Sequence, residues 1–386
     1  MAISNIAVAL LCVWWAAAEA GSRIYDVVGH GAHGDAKTDD TKAFEEAWKA
    51  ACSDPANPTM VVPSGKTFLL SFISFRGPCN SNKIRVRIEG DIVAPSQVGL
   101  QHSNADHWIT FADVNGLTVD GSGQIDGRGS LWWACKATPD SFAIMRCQNV
   151  ELSGLRFKDS PKKHVTVDDS AWVRVFGITV EAPEDSPNTD GVHIERSRHA
   201  EIVDTSIGTG DDCISIGPDT VDLNISRITC GPGHGISIGS LGKDESEARV
   251  EQIHVSSCSF FGTSNGVRIK TWQGGSGFAR RLLFEQIEFD SVKNPIVIDQ
   301  YYCDGGHKCH NKPSAVEVSD VRYAGVIGST TKNIAITLNC SQNIACTGII
   351  MENISISHVE PGAPTSSFCV NAHGRMKSPS FLGSLA

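Results

Sequence analysis

Three short polar phrases, each bounded by glycine, recur at a fixed spacing in the middle of this 386-residue chain. They are Asn188-Thr189-Asp190-Gly191, Gly210-Asp211-Asp212-Cys213 and Gly233-His234-Gly235. Each phrase runs into a short β-type stretch, and these stretches begin at Val192, Ile214 and Ile236, 22 residues apart both times. A repeat of this length is typical of one coil of a solenoid.

The repeat also predicts which side chains lie next to one another on successive coils. The position two residues before each stretch is Asp190, Asp212 and His234 in turn, and Asn265 precedes a fourth stretch in the same way. Neighbouring strands of a parallel sheet lie about 4.7–4.9 Å apart. We therefore expect the carboxylates and the imidazole to form one column on one face, where they could perform acid–base chemistry.

Further β-branched stretches, with Gly, Asn and Asp between them, continue the pattern from about residue 83 onward. They cover residues 84–89, 117–120, 150–157, 173–180, 202–207 and 253–260, and no convincing long helix interrupts them. This spacing predicts an all-β fold, a single-stranded right-handed parallel β-helix that forms one domain over residues 21–386. An antiparallel sandwich is the alternative, but it would call for hairpin turns at closer spacing.

One helix is predicted near the start of the solenoid, over residues 39–52. Asp39 or Asp40 can cap it, and one face of the helix is an apolar stripe that consists of Ala43, Phe44, Ala47, Trp48 and Ala51. Such a helix could cover the exposed hydrophobic end of the solenoid. An ordinary surface helix is the alternative.

The first residues and the cysteines indicate the compartment. An apolar run over residues 6–18 is followed by Ala18-Glu19-Ala20, which predicts a secretory signal peptide over residues 1–20. A buried helix or a membrane anchor is the alternative, although the run is too short to span a bilayer. Cys12 lies in this run, and twelve cysteines remain outside it. The candidate disulfides are Cys52–Cys79, Cys213–Cys230, Cys303–Cys309 and Cys340–Cys346.

The net charge of −10 argues against nucleic acid as a partner. It does not exclude an acidic ligand, because a local basic site can override the net charge. Arg268 and Lys270 form such a site, since residues two apart in a strand point to the same face. No cofactor is expected. The metal interpretation is weak as well, because no Cys-x-x-Cys pair occurs and the histidines do not cluster at ligand spacing.

The predicted column suits the hydrolysis of a glycosidic bond in an acidic polysaccharide. Asp190, Asp211 and Asp212 would repel one another as anions, so at least one should have a raised pKa and could act as an acid while another activates water. The two cations could bind a carboxylated sugar, and Tyr301 and Tyr302 could stack on its ring. The polar segment 240–247 could form a wall of the cleft. A Ca²⁺ site made of the three Asp residues is the alternative, and the nearby cations and His234 make it less favourable.

The phrases Asn188-Thr189-Asp190, Gly210-Asp211-Asp212, Gly233-His234-Gly235 and Arg268-Ile269-Lys270, in this order and spacing, resemble those of the polygalacturonases, glycoside hydrolase family 28. The resemblance extends over residues 31–40, 123–133, 186–191, 207–217 and 230–242. Residues 266–275 and 299–303 resemble the plant branch in particular. The resemblance implies a right-handed β-helix, no metal, and inverting hydrolysis of the α-1,4 bonds between galacturonic acids in pectin.

The resemblance also implies roles for individual residues. Asp211 matches the general acid, Asp190 and Asp212 match the residues that activate water, and His234 matches the essential histidine. The residues that match the subsite for the galacturonate ring are Asn188, Arg268, Lys270 and Tyr302. Two departures from the family pattern, in the C-terminal segment and between Cys135 and Cys147, leave the partners of Cys135, Cys147 and Cys369 open.

The sequence therefore predicts a secreted, monomeric polygalacturonase that acts on de-esterified pectin, with endo cleavage favoured over exo cleavage. A Ca²⁺-dependent pectate lyase of the same architecture is an alternative from another reaction class. A wall-binding protein without turnover is an alternative outside enzymes. We expect no association with a membrane once the signal peptide is removed.

Overall fold

The computed structural model describes residues 23–95, 106–134, 138–303 and 310–377, so the predicted signal peptide lies outside the described residues. Within these ranges the chain winds as a right-handed parallel β-helix whose coils contribute strands to two parallel sheets, here called sheet A and sheet B. The predicted all-β solenoid is confirmed, and the antiparallel sandwich is excluded.

Sheet B contains eleven strands, and their order in the sheet is their order in the chain. Its strands are β5 (Ile73–Arg76), β8 (His107–Ala112), β11 (Asp140–Met145), β14 (Val165–Asp168), β17 (Val192–Glu195), β19 (Ile214–Ile216), β21 (Ile236–Leu241), β23 (Val267–Thr271), β25 (Ile296–Asp299), β27 (Ile334–Asn339) and β29 (Ser366–Val370). Val192 pairs with Ile214, Ile214 with Ile236, and Ile236 with Val267. The register predicted from the 22-residue repeat is therefore confirmed.

Sheet A contains nineteen strands, which are short and paired in the early coils and long and bent from residue 198 onward. Its strands are β1 (Ile24–Asp26), β2 (Asp35–Asp39), β3 (Thr59–Val62), β4 (Thr67–Leu69), β6 (Ile84–Ile88), β7 (Asp91–Val93), β9 (Asn115–Asp120), β10 (Gln124–Asp126), β12 (Gln148–Ser153), β13 (Arg156–Lys158), β15 (Ala171–Phe176), β16 (Thr179–Glu181), β18 (Arg198–Gly208), β20 (Thr220–Cys230), β22 (Glu247–Phe261), β24 (Ser276–Val292), β26 (Glu317–Thr330), β28 (Cys346–His358) and β30 (Ala372–Lys377).

Two predicted strands, over residues 150–157 and 173–180, are each two strands in the structure. The first is divided between β12 and β13, and the second between β15 and β16. Gly154 (φ 73°) and Gly177 (φ 61°) stand at the divisions, in a left-handed backbone conformation that turns the chain. The prediction of one strand was wrong at these two places, because the apolar residues on the two sides of the bend form one uninterrupted pattern in the sequence.

The core lies between the sheets, and aromatic rings follow one another along the early coils. Phe75 stacks on Phe111 with ring centroids 4.7 Å apart, and Phe111 packs against Phe142 at 5.5 Å. Along β6, buried and exposed residues alternate, so Ile84, Val86 and Ile88 face inward. This alternation is the pattern of a sheet that covers an apolar interior on one face.

The single α-helix of the described residues, α1, spans Thr41–Cys52 and packs on the first coils. The five residues of the predicted apolar stripe are all buried, and the Trp48 ring lies 5.3 Å from that of Phe75. Asp40 occupies the N-cap position, but its carboxylate accepts the backbone N–H groups of His33 and Gly34. Asp39 accepts the N–H of Thr41 at 3.0 Å instead. No helix in the described ranges is long and apolar enough to cross a membrane.

Three of the predicted disulfides are present, namely Cys52–Cys79, Cys213–Cys230 and Cys340–Cys346. Cys309, the predicted partner of Cys303, lies outside the described residues, as does Cys135. Within the described part of the chain, the cysteines that form no disulfide are Cys147, Cys258 and Cys369. Cys52–Cys79 fastens the end of α1 to the coil that it covers.

Candidate active site

The outer face of sheet B carries a row of polar residues near the middle of the solenoid. Thr166, His193, Ser215, Ser237 and Arg268 occupy equivalent positions on five neighbouring strands. Their neighbours along each strand are Val or Ile residues of the core, so the polar side chains point outward. All but Arg268 are nevertheless buried, because other groups cover them. Those groups include the predicted catalytic residues.

Asp212 is almost fully enclosed, with 1% of its side chain exposed. Its Oδ1 accepts hydrogen bonds from the Ser237 hydroxyl at 2.7 Å and from the Arg268 guanidinium at 2.8 Å, and its Oδ2 accepts one from Lys270 at 2.9 Å. The two cations stabilise a carboxylate that desolvation alone would disfavour. Two residues predicted to bind substrate therefore contact a predicted catalytic residue in this structure.

Asp211 forms a hydrogen bond with His234. The His234 Nδ1 lies 3.1 Å from Asp211 Oδ1, and the backbone N–H of Asp212 donates to the same oxygen at 2.8 Å. Burial is the largest influence on Asp211 and acts to raise its pKa, but the hydrogen bond and charge of His234, aided by the charge of Lys270, outweigh it and lower the pKa. The hydrogen bond to Asp211 in turn raises the pKa of His234.

Asp190 is held by a short chain of hydrogen bonds along the polar row. The Ser215 hydroxyl donates to Asp190 Oδ2 at 2.5 Å, and His193 Nδ1 lies 2.8 Å from the same hydroxyl oxygen. The far side of the imidazole, Nε2, lies 3.7 Å from a carboxylate oxygen of Glu195.

Asp190 differs from Asp211 in the direction of its pKa shift. Burial raises the pKa of Asp190 to about 7, with further contributions from the negative charges of Asp211 and Asp212. The hydrogen bond from Ser215 acts in the opposite direction. The expectation that one carboxyl of the cluster keeps its proton above the ordinary range is thus met at Asp190.

His164 fixes the backbone of Asp190 from the preceding coil. Its N–H and its ring Nδ1 both reach the carbonyl oxygen of Asp190, at 2.9 and 3.1 Å, and its Nε2 accepts the N–H of Ser160 at 3.2 Å. Full burial lowers the pKa of His164 to about 4, so the imidazole is neutral and can both donate and accept. His164 was not among the predicted residues.

The two glycines beside His234 are required by close packing. Their φ angles are +148° at Gly233 and +87° at Gly235. A Cβ on Gly235 would lie 2.2 Å from the carbonyl oxygen of Gly266, and one on Gly233 would lie 2.9 Å from that of Asp211. Glycine thus lets the His234 turn lie directly against the turns of the adjoining coils.

The aromatic residues predicted to meet a sugar ring lie beside the cations. The Tyr302 ring packs edge-on against Trp272, with centroids 6.0 Å apart, and Lys270 Nζ lies 5.3 Å from the centroid of Tyr302. The hydroxyl of Tyr301 accepts the N–H of Gln342 at 2.9 Å. Asn188 is exposed in the turn that leads to Asp190, with φ +55°.

The segment 240–247 was predicted to be an irregular loop, but part of it is regular structure. Its first residues complete β21, a 3-10 helix follows at Lys243–Glu245, and its last residue begins β22. Lys243 Nζ lies 5.4 Å from the ring centroid of Trp272, so the segment contacts the aromatic group beside the site.

A cation site was the alternative use of the same carboxylates. Single ligand atoms of Asp211, Asp212 and His234 lie within 4.8 Å of one another. Both oxygens of Asp212, however, already accept hydrogen bonds from Arg268 and Lys270. A divalent ion would have to displace these two positive charges or lie close to them. The structure therefore fits an acid–base cluster better than a Ca²⁺ site.

Sequence reasoning identified the carboxylates, His234 and the cations but missed the groups that support them. The Ser215 and Ser237 hydroxyls and the His193 ring were recognisable only by position, since each is one residue after a strand start, as Arg268 is. The signal for His164 was equally indirect: it directly precedes β14, on the coil before Asp190.

Comparisons with known proteins identify the family of the chain. The family model described as glycosyl hydrolases family 28 matches residues 52–379. Polygalacturonase-2 from Solanum lycopersicum is 42% identical over 363 residues, which cover 92% of this chain and 79% of that protein. A polygalacturonase from Persea americana is 44% identical over 352 residues, covering 88% and 75% of the two chains.

Solved structures show the same fold at low sequence identity. An endo-xylogalacturonan hydrolase from Aspergillus tubingensis superposes with a TM-score of 0.79 at 22% identity and covers 92% of this chain and 99% of its own. An exopolygalacturonase from Thermotoga maritima gives a TM-score of 0.74 at 16% identity, with 92% and 90% covered. On the family model and the plant relatives, this chain belongs to glycosyl hydrolase family 28 and is a glycoside hydrolase of the polygalacturonase type.

Proposed function

We propose that this enzyme hydrolyses the α-1,4 bonds of de-esterified polygalacturonate by an inverting acid–base mechanism that needs no metal, with endo action. The observation that carries the proposal is the grouping of Asp190, Asp211 and Asp212 with His234 beside Arg268 and Lys270. Carboxyl groups in different charge states supply the acid and the base of glycoside hydrolysis. Adjacent cations supply the means to bind a substrate that carries a carboxylate on every ring.

In this mechanism Asp211 protonates the leaving glycosidic oxygen, and Asp190 and Asp212 position and deprotonate the attacking water. The contacts of Asp212 with two cations support its role as an ionised group. His234 orients Asp211 and adjusts its charge. The hydrogen bonds from Ser215 and Ser237 hold the other two carboxyl groups in place without competing for the substrate.

Substrate recognition is proposed to involve Arg268, Lys270, Asn188 and Tyr302. Arg268 and Lys270 have only 15% and 10% of their side chains exposed, so only the outer edge of each cation is open to a ligand. A galacturonate carboxylate would share these cations with Asp212. Methyl esterification removes that charge, and it should therefore weaken binding even though the ring and its hydroxyl groups remain.

The test is a time course on polygalacturonate with chelator present, in which viscosity and new reducing ends are followed together. We expect a rapid fall in viscosity with few new ends, and little activity on fully methylated pectin. The Asp211→Asn variant should retain its fold and lose the activity. Equal rates on the two substrates, or an unimpaired Asp211→Asn, would refute the proposal.

The same time course separates the alternatives. Release of monomers while viscosity is nearly kept would identify exo cleavage. Products that absorb in the near ultraviolet, with activity lost to chelator, would identify a lyase. A folded protein that releases no ends and yet binds pectin would be a wall-binding protein.

We further propose that residues 1–20 are a secretory signal peptide, that residues 21–386 form one catalytic solenoid, and that the mature protein is an extracellular monomer. Three disulfides among the described residues support an oxidising compartment. N-terminal sequencing of the secreted protein and its mass in solution test these points. A mature chain that still contains residues 1–20, or a stable dimer, would contradict them.

A further inference from the structure

A column of left-handed residues runs along sheet A, one residue on each coil. Gly116, Asn149, Trp172, His199 and Asp222 occupy equivalent positions, with φ angles between +54° and +73°. Glycine, asparagine and aspartate are the residues that tolerate this conformation, whereas a bulky side chain there is unusual. The column continues at Gln252, Arg281 and Asp320, so the conformation is a regular feature of the coils, and Trp172 is distinguished by its large aromatic side chain.

Trp172 is also exposed, with 59% of the residue accessible to solvent. Its ring stacks on His199, with centroids 4.2 Å apart and an interplanar angle of 16°. His199 is in turn held by Asp222, whose carboxylate lies 2.6 Å from the His199 Nδ1. Because His199 lies on the following coil and covers one face of the indole, the other face turns toward the preceding coil, that of Asn149.

A groove of about 620 Å³ lies on that side of the indole. It exists because Gly116 has no side chain and Asn149 has a short one, so the column is interrupted directly in front of Trp172. The groove is lined by Trp172 at one end and by Lys83 and Asn82 further along. Its floor belongs to sheet A, whereas the candidate active site belongs to sheet B.

The lining of the groove contains more cations than carboxylates, and Lys83 is the cation without an acidic partner among the described residues. Its lining includes Lys83, Arg85 and Arg174 but only one carboxylate, that of Glu151. Arg85 and Arg174 are paired with acidic residues beside the groove. The ammonium of Lys83 is exposed and forms no ion pair with a carboxylate in the described part of the chain.

We propose that this groove is a second polysaccharide site, which binds a short segment of an acidic glycan such as polygalacturonate outside the active site. The flat indole face packs on the apolar face of a sugar ring, Lys83 binds a carboxylate of the glycan, and Asn82 and Asn149 offer hydrogen bonds to hydroxyl groups. The choice of an acidic glycan rests on the function proposed above. The site would hold the enzyme on an insoluble substrate while the active site acts on another segment.

The test measures binding to insoluble de-esterified pectate in the inactive Asp211→Asn background. Trp172→Asn keeps a residue that tolerates the left-handed backbone and removes the ring, and we expect about ten-fold weaker retention. Lys83→Gln should also weaken retention, more at low than at high salt. Trp172→Phe keeps a ring and should restore most of the binding. Ile327→Gln, at another exposed apolar residue of sheet A, is the control and should bind normally.

Activity measurements separate this inference from the proposed function. With an intact active-site Asp211, Trp172→Asn should hydrolyse soluble trigalacturonate as the unmodified protein does and lose rate only on insoluble pectate. Hydrolysis by the unmodified protein combined with normal pectate retention by Trp172→Asn would overturn the second site and leave the function intact. No hydrolysis by the unmodified protein would overturn the function instead. Equal retention on neutral galactan would overturn the choice of an acidic glycan.

Discussion

Replacement of Lys270 by methionine tests whether the two cations neutralise Asp212 in the free enzyme. The substitution keeps most of the side-chain volume and removes the charge. Asp212 has 1% of its side chain exposed and Lys270 has 10%, so water cannot take the place of the lost ammonium. Removal of one partner from a buried ion pair costs about 3–5 kcal/mol. Arg268 and Ser237 still bind the carboxylate, and we therefore expect about 2–3 kcal/mol.

The decisive measurement is a double-mutant cycle on the free energy of unfolding, followed by far-ultraviolet circular dichroism in denaturant at pH 7. In Asp212→Asn/Lys270→Met the buried charges are removed together, so the double variant should be more stable than the sum of the single losses predicts, by about 1–3 kcal/mol. Lys42→Met serves as the control, because that lysine is 87% exposed, 3.9 Å from its partner, and should change stability by less than about 0.5 kcal/mol. Additive losses in the cycle would refute the coupling.

Three further predictions concern the same cluster. Because the pKa of Asp190 is raised from 3.8 to about 7, the free energy of unfolding should fall as pH rises between these values. Asp190→Asn should therefore be more stable than the unmodified protein at pH 7, by up to about 4 kcal/mol, and equally stable at pH 4. Stability curves of the two proteins that run parallel with pH would contradict this. Ser215→Ala removes a hydrogen bond that lowers this pKa and should move the alkaline limb of the kcat/KM profile to higher pH, whereas an unmoved limb would exclude the coupling. The free energy of unfolding of the Cys213→Ala/Cys230→Ala variant, measured in denaturant, should fall by about 3 kcal/mol, because the disulfide closes a loop of 17 residues. An unchanged denaturant midpoint would show that packing alone holds the Asp212 turn.

The register of the site could be predicted from the sequence because the repeat is regular there. The 22-residue spacing of Val192, Ile214 and Ile236 equals the length of one coil, so residues at equal offsets had to become neighbours. In the structure Arg268 accordingly pairs with Ser237, one residue after the strand start at Val267. The apolar stripe of α1 was predicted for a similar reason, as the helical period alone determines which residues face the core.

Individual contacts could not be predicted, because several partners satisfy the same pattern. Asp39 and Asp40 were equal candidates for the helix cap. In the structure the Asp40 carboxylate instead accepts hydrogen bonds from two backbone N–H groups of a preceding turn. Arg268 and Lys270 were expected to await a substrate, yet burial of Asp212 without counter-charges would be costly, and both cations bind it in the free enzyme. Which partner a polar group binds depends on how far folding removes that group from water, and the order of residues in the sequence does not show this.

The proposed roles require that a proton changes place when substrate binds. In the free enzyme burial and two nearby carboxylates keep the proton on Asp190, while His234 favours the ionised form of Asp211. The proposed roles require the reverse, with Asp211 protonated as the acid and Asp190 ionised as a base. A bound galacturonate brings a negative charge and excludes water, and both effects raise the pKa of Asp211. One proton shared between the two carboxyl groups satisfies both states without a change in total charge, so the pair titrates as a unit and its alkaline limb reports the loss of that single proton.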